Sequence, residues 1–217
     1  RLGASGYRRS SPGILNERNL LAFSQGPRHV GHELPLAAPV ALPDVVELST
    51  SPAHGCAAIG GQHDVFCWGR GDHGELGSGD FADSPTPARA LDVDDVVEVR
   101  AGGGELGLFT AGHSCAVTSA GLLYCWGGNG SGELGDGTTS DADAPVAVGS
   151  ENDWETVSAG IGYTCAVRAG ELYCWGSYEF GELPDGTIDD SSTPVRLGSD
   201  ADWESVSAGS SICGLRA

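Results

Sequence analysis

Apolar and polar positions alternate over short runs in this chain, and Gly, Pro and Asp separate the runs. Val65-Phe66-Cys67-Trp68-Gly69, Leu123-Tyr124-Cys125-Trp126-Gly127 and Leu172-Tyr173-Cys174-Trp175-Gly176 are rich in residues that suit a pleated surface. Each follows a polar turn and an earlier run, Cys56-Ala57-Ala58-Ile59, Cys115-Ala116-Val117 or Cys165-Ala166-Val167. The pairs read as β-hairpins bounded by cysteines, and a further copy opens at Cys213-Gly214-Leu215. No stretch after about residue 20 has helical periodicity.

Other features recur in step. Gly-Glu-Leu follows each Trp-Gly, at Glu75, Glu133 and Glu182, and Pro87, Pro145 and Pro194 precede short apolar stretches. Asp95, Asp153 and Asp202 then open another strand. The leading cysteines lie 59, 50 and 48 residues apart. A period near 50 with about four short strands predicts an all-β chain of β-propeller blades. A single blade cannot bury both faces, so blades must stack.

The N-terminal part fits the same template: Leu20-Leu21-Ala22-Phe23-Ser24 aligns with Leu172 to Gly176, and Gly31 to Pro35 with Gly181 to Pro184. The expected organisation is a basic tail over 1–19, a half-blade over 20–48, repeats over about 49–99, 100–157 and 158–206, and a half-blade over 207–217. Pairing of the halves would close a ring of about four blades and set Ala22 opposite Cys213. The alternative is an arc excerpted from a longer ring, which a sequence without Met also suggests.

Ala159-Gly160 through Val167, and Leu123 through Thr138, resemble the repeat of the regulator-of-chromosome-condensation propeller family over roughly residues 20 to 217. The Cys-Trp-Gly variant resembles the secreted bacterial branch of that family. The resemblance implies a propeller, usually of seven blades, but no single activity, since members include small-GTPase exchange factors and secreted inhibitors. No exchange-factor motif can be carried over to residues of this chain.

Within each complete repeat the two cysteines are 9 to 11 residues apart across a turn, a spacing that suits facing positions on antiparallel strands. The expected bridges are Cys56–Cys67, Cys115–Cys125 and Cys165–Cys174, with Cys213 free and buried or paired with another chain. Metal ligation would want a C-x-x-C spacing, which is absent. Three bridges point to an oxidising, extracellular or periplasmic compartment.

The charge balance adds exclusions. There are 11 basic and 30 acidic residues, a net charge of −19, so no basic footprint for nucleic acid exists. No apolar run approaches a membrane span, and no signal-peptide pattern follows Arg1. Four of the basic residues, Arg1, Arg8, Arg9 and Arg18, fall in the tail, as a flexible segment or an arm for an acidic neighbour.

The second repeat carries an eight-residue insertion within 102–110. Its Glu105, Leu106, Leu108 and Phe109 are the candidate contacts for a protein partner, against a reading in which they fold back on the blade. The periodic Trp68, Trp126 and Trp175 read as core, and Glu75, Glu133 and Glu182 as acceptors for turn N–H groups, because a catalytic carboxylate is needed once rather than per blade. Asp136, Asp141 and Asp143, with Asp185, Asp189 and Asp190, are weak Ca²⁺ candidates lacking an EF-hand pattern. His54 and His113 share one repeat position, taken by Tyr163 in the third, which suits packing better than ligation. No catalytic, cofactor or phosphate-binding motif stands out. The expectation is therefore a non-enzymatic, cofactor-free exported propeller that binds protein, as a peripheral subunit of an envelope or extracellular assembly. The alternatives are a secreted enzyme inhibitor, a hydrolase or lyase with a loop-borne site, and a small-GTPase exchange factor.

Overall fold

The computed structural model describes residues 19–22, 40–60, 64–103, 111–177 and 190–217. Every regular element among them is a β-strand. β1 (Asn19–Ala22) and β2 (Val40–Pro43) form a two-stranded sheet. β3 (Val45–Thr50), β4 (His54–Ile59), β5 (Val65–Gly69) and β6 (Ser84–Arg89) form the first complete blade. β7 (Val96–Gly102), β8 (His113–Thr118), β9 (Leu123–Gly127) and β10 (Ala142–Ala147) form the second. β11 (Trp154–Ala159), β12 (Tyr163–Arg168), β13 (Glu171–Gly176) and β14 (Ser191–Arg196) form the third, and β15 (Trp203–Ala208) pairs with β16 (Ile212–Arg216). All pairings are antiparallel between consecutive strands, so each blade is a meander.

The hairpin register sets Cys56 opposite Cys67, Cys115 opposite Cys125 and Cys165 opposite Cys174, and all three pairs are bridged. Each Cys-Trp-Gly run ends in a glycine with positive φ, 109° at Gly69 and 105° at Gly127 and Gly176. A Cβ at Gly69 would lie 2.6 Å from the Ala53 carbonyl oxygen, so the position needs glycine on two counts. Prolines 85, 87, 145 and 194 sit on β6, β10 and β14, the outer edges of the sheets, where a missing N–H is harmless and blocks further pairing.

The core lies between blades. The Cys115–Cys125 bridge, Val117, Leu123 and Leu134 of the second blade pack on Trp154, Val157, Ala166 and Trp175 of the third. Cys56, Ala58, Val65 and Leu76 meet Val96, Val99, Ala116 and Trp126 in the same way. Trp68, Trp126 and Trp175 are buried in this role. The strands opened by Asp95, Asp153 and Asp202 each begin a sheet; the repeat limits near 49, 100 and 158 count the same period from a different strand.

Two expectations differ from the structure. Cys213, expected free and buried or paired with another chain, is free and exposed, and among the described residues no third strand pairs with β16. Ala22 does not oppose Cys213: Ala22 pairs with Val40, Cys213 pairs with Ser207, and the two half-sheets are separate. Leu42 on β2 packs against Ala57 and Trp68, so the β1–β2 pair precedes the first blade as its outer neighbour, while β15–β16 follows the third.

Candidate interaction face

The inter-blade contacts include a repeated polar clasp. The carbonyl oxygen of Glu75 accepts hydrogen bonds from Trp126 Nε1 at 2.9 Å and from Ser114 Oγ at 3.0 Å. His54 Nε2 lies 2.8 Å from Ser114 Oγ. One blade on, Glu133 O accepts from Trp175 Nε1 and Thr164 Oγ1, both at 2.8 Å, and His113 Nε2 lies 2.7 Å from Thr164 Oγ1. Because each hydroxyl directs its proton to the Glu carbonyl, each imidazole donates from Nε2 to the hydroxyl and is neutral. Burial enforces this: it depresses the pKa of His54 to about 3, with His113 and Arg70 adding to the effect, and that of His113 to about 4.

The carboxylates of the two Gly-Glu-Leu turns do a different job. Glu75 Oε2 accepts His73 N–H and Glu133 Oε2 accepts Ser131 N–H, both at 2.8 Å. Burial raises both pKa values. Glu75 Oε1 also accepts Gly112 N–H at 3.4 Å, and this ties the turn of the first blade to the second.

Gly112 is one foot of the insertion. The other, Gly103, donates its N–H to Gly160 O at 2.7 Å. A Cβ on Gly103 would lie 2.5 Å from Gly112 Cα, so the loop leaves and returns through one narrow neck held by the blades on either side. Glu105, Leu106, Leu108 and Phe109 lie outside the described residues, as do Glu182, Asp185 and Asp189.

The neck shares its end of the sheets with the β5–β6 and β9–β10 loops. Gly128 N–H in the latter donates to Gly112 O at 2.7 Å. Asp136 accepts from Thr138 N and Oγ1, both at 2.9 Å. Asp141 accepts Asn129 N–H through Oδ1 and bonds His73 Nδ1 of the first blade through Oδ2, both at 2.8 Å. Asp143 enters through its backbone oxygen, which accepts Gly79 N–H, and Asp190 is exposed. Among the described residues no three His, Cys, Asp or Glu side chains gather to hold a metal ion. Asn129, buried and bonded to Thr138, Ser140 and Leu134, organises this loop and carries no signal in a single sequence beyond its repeat position.

A second cluster lies on the first strands of the blades. Arg100, where the other repeats have Ser49, Ser158 and Ser207, pairs with Glu47 on β3 and at 2.7 Å with Glu98. Glu98 accepts from Thr156 Oγ1 at 2.9 Å and Val157 N at 3.3 Å on β11, so the cluster spans three blades. Burial raises the Glu98 pKa, while Arg100 lowers it.

Residues 62–105 and 120–167 match the regulator of chromosome condensation (RCC1) repeat. These two segments are RCC1-type repeats. The chain is 36% identical to the ultraviolet-B receptor UVR8 of Arabidopsis thaliana over 108 residues, 48% of this chain and 22% of that protein. It is also 36% identical to the E3 ubiquitin-protein ligase HERC2 of Homo sapiens over 95 residues, 43% of this chain and 2% of that protein. The repeats superpose on human WBSCR16 with a TM-score of 0.69 and 23% identity, over 88% of this chain and 52% of that one. Prp20p of Saccharomyces cerevisiae, studied for its binding to Gsp1p and histones, gives 0.63 and 24% over 82% and 46%. The chain thus spans about a fifth or less of these sequence relatives and about half of these solved propellers, and the superpositions establish the fold.

Proposed function

We propose that this RCC1-type array is a non-enzymatic protein-binding module that works in an oxidising, extracellular or periplasmic compartment. The observation that carries the reading is the use of the buried polar groups. His54, His113, Glu75 and Glu133 are all engaged in periodic clasps between blades or turns, which suits a scaffold rather than a catalytic centre. The three bridges support the compartment. The partner face is the loop end around the insertion, with Leu106, Leu108 and Phe109 as its apolar contacts. The net charge of −19 favours a partner with a basic segment. The test is co-purification from the source with Leu108→Asp/Phe109→Asp. The partner should be lost while the three bridges, read by intact mass, remain. Undiminished capture would remove the insertion as the site.

A further inference from the structure

The β9–β10 loop holds a residue pair with a chemistry of its own. Asn16, Asn19, Asn129 and Asn152 are the asparagines of the chain, and Asn129 alone precedes a glycine. In an Asn-Gly pair no side chain shields the following peptide nitrogen, which can attack the side-chain amide carbon and expel ammonia. Gly130 is exposed, and a Cβ there would meet no atom within 4 Å. Its N–H donates to no described residue. The nucleophile is therefore open to water and base.

The amide it would attack is locked. Asn129 is 0% exposed. Its Oδ1 accepts the Leu134 N–H at 2.9 Å. Its Nδ2 donates to oxygens on every side: Ser140 O at 3.0 Å, Thr138 Oγ1 at 3.1 Å, Thr138 O at 3.2 Å and Asp136 Oδ1 at 3.5 Å. Swinging the amide carbon toward the Gly130 nitrogen breaks these bonds. The same repeat position holds Gly71 and Tyr178 in the other blades, so the blade itself does not require an amide there. The lock is joined to the first blade. One carboxylate, Asp141, accepts Asn129 N–H through Oδ1 and bonds His73 Nδ1 through Oδ2, and Gly79 N–H donates to Asp143 O at 2.8 Å.

We propose that Asn129 is a latent self-modification site, silent while this loop is closed against the first blade and converted irreversibly when the loop opens. In the open loop the Gly130 nitrogen gives its proton to base and bonds to Asn129 Cγ. The Cγ–Nδ2 bond breaks, and the amide nitrogen takes up a proton and leaves as ammonia. Water then adds across one of the two imide C–N bonds and leaves aspartate or isoaspartate at position 129. One water is consumed and one ammonia released, and no oxidant, cofactor or enzyme takes part. The new carboxylate does not fit the old site: it would face Thr138 O, Ser140 O and the Asp136 carboxylate with no proton to donate, a buried charge among acceptors. Conversion therefore keeps the loop from closing again on the first blade.

The experiment follows deamidation at each asparagine by peptide mapping, in the folded chain and in urea with the bridges intact. In urea Asn129 should react ahead of the other three. In the folded chain it should slow by roughly tenfold or more, because reaction waits for the loop to open, while Asn152, exposed in the fold, changes less. Asp141→Ala, which removes the acceptor of Asn129 N–H and leaves the amide intact, should recover much of the lost rate in the folded chain. Asn129→Asp, a copy of the aspartate product, should speed hydrogen exchange at the Gly79 amide. Deamidation of Asn129 as fast in the folded parent as in urea overturns the proposal, and this comparison stands even where a variant does not fold. Unchanged Gly79 exchange in folded Asn129→Asp overturns it too.

Discussion

Acidification should weaken this fold through two buried imidazoles. His54 and His113 carry pKa values of about 3 and about 4 when folded, against 6.5 in the open chain. The folded values are depressed, so the unfolded chain binds more protons below pH 6.5 and stability falls as pH drops. The contribution is full above pH 6.5 and is lost progressively down to the folded values. At pH 5 the unfolded imidazole is almost wholly protonated and the folded one almost wholly neutral, which costs about 2 kcal/mol for each site. Glu75, Glu98 and Glu133 act the other way: their folded pKa values are raised, so their contribution is full below the unfolded value of 4.5 and is lost as pH rises through the folded ones. The assay must therefore be differential. Urea unfolding at pH 8 and pH 5 should be compared between the parent and His54→Gln and His113→Gln, which keep a donor near the Nε2 position and do not titrate. Each variant should lose about 2 kcal/mol less on acidification than the parent does, and the two should add. If the variants lose as much as the parent, the imidazoles are not buried neutral donors and the clasp is wrong.

Replacing Cys165 and Cys174 together by Ala should cost about 3 kcal/mol in denaturant unfolding, since the bridge closes a short loop of the unfolded chain. The oxidised parent should weigh six hydrogens less than the reduced one by intact mass, from its three bridges. Thr164→Val, which removes the hydroxyl between His113 and Glu133 O, should cost about 1–3 kcal/mol because it leaves buried polar groups unpartnered. Arg100→Gln should cost about 1–3 kcal/mol at pH 7 by leaving the Glu98 carboxylate with only the Thr156 and Val157 donors and no cation, and less at pH 4, where that carboxyl takes a proton; the two-pH comparison checks the pairing.

Blade and period were legible in the local pattern of residues. Short alternating runs, the Cys-Trp-Gly glycine and the edge prolines each act on neighbouring residues, so their spacing reads directly as strand, hairpin and edge. The disulfide register was legible for the same reason, because a tight antiparallel hairpin leaves few facing pairs. Partners that come from the next blade were not legible. Nothing local in Ser114 or Thr164 says that its hydroxyl joins a histidine of one blade to a carbonyl of the same blade's turn, and nothing in Arg100 says that it bridges carboxylates on two strands. Burial in a stacked array depends on which blade face is opposite, and that is a property of the tertiary arrangement, since each sheet hides its apolar face only against its neighbour.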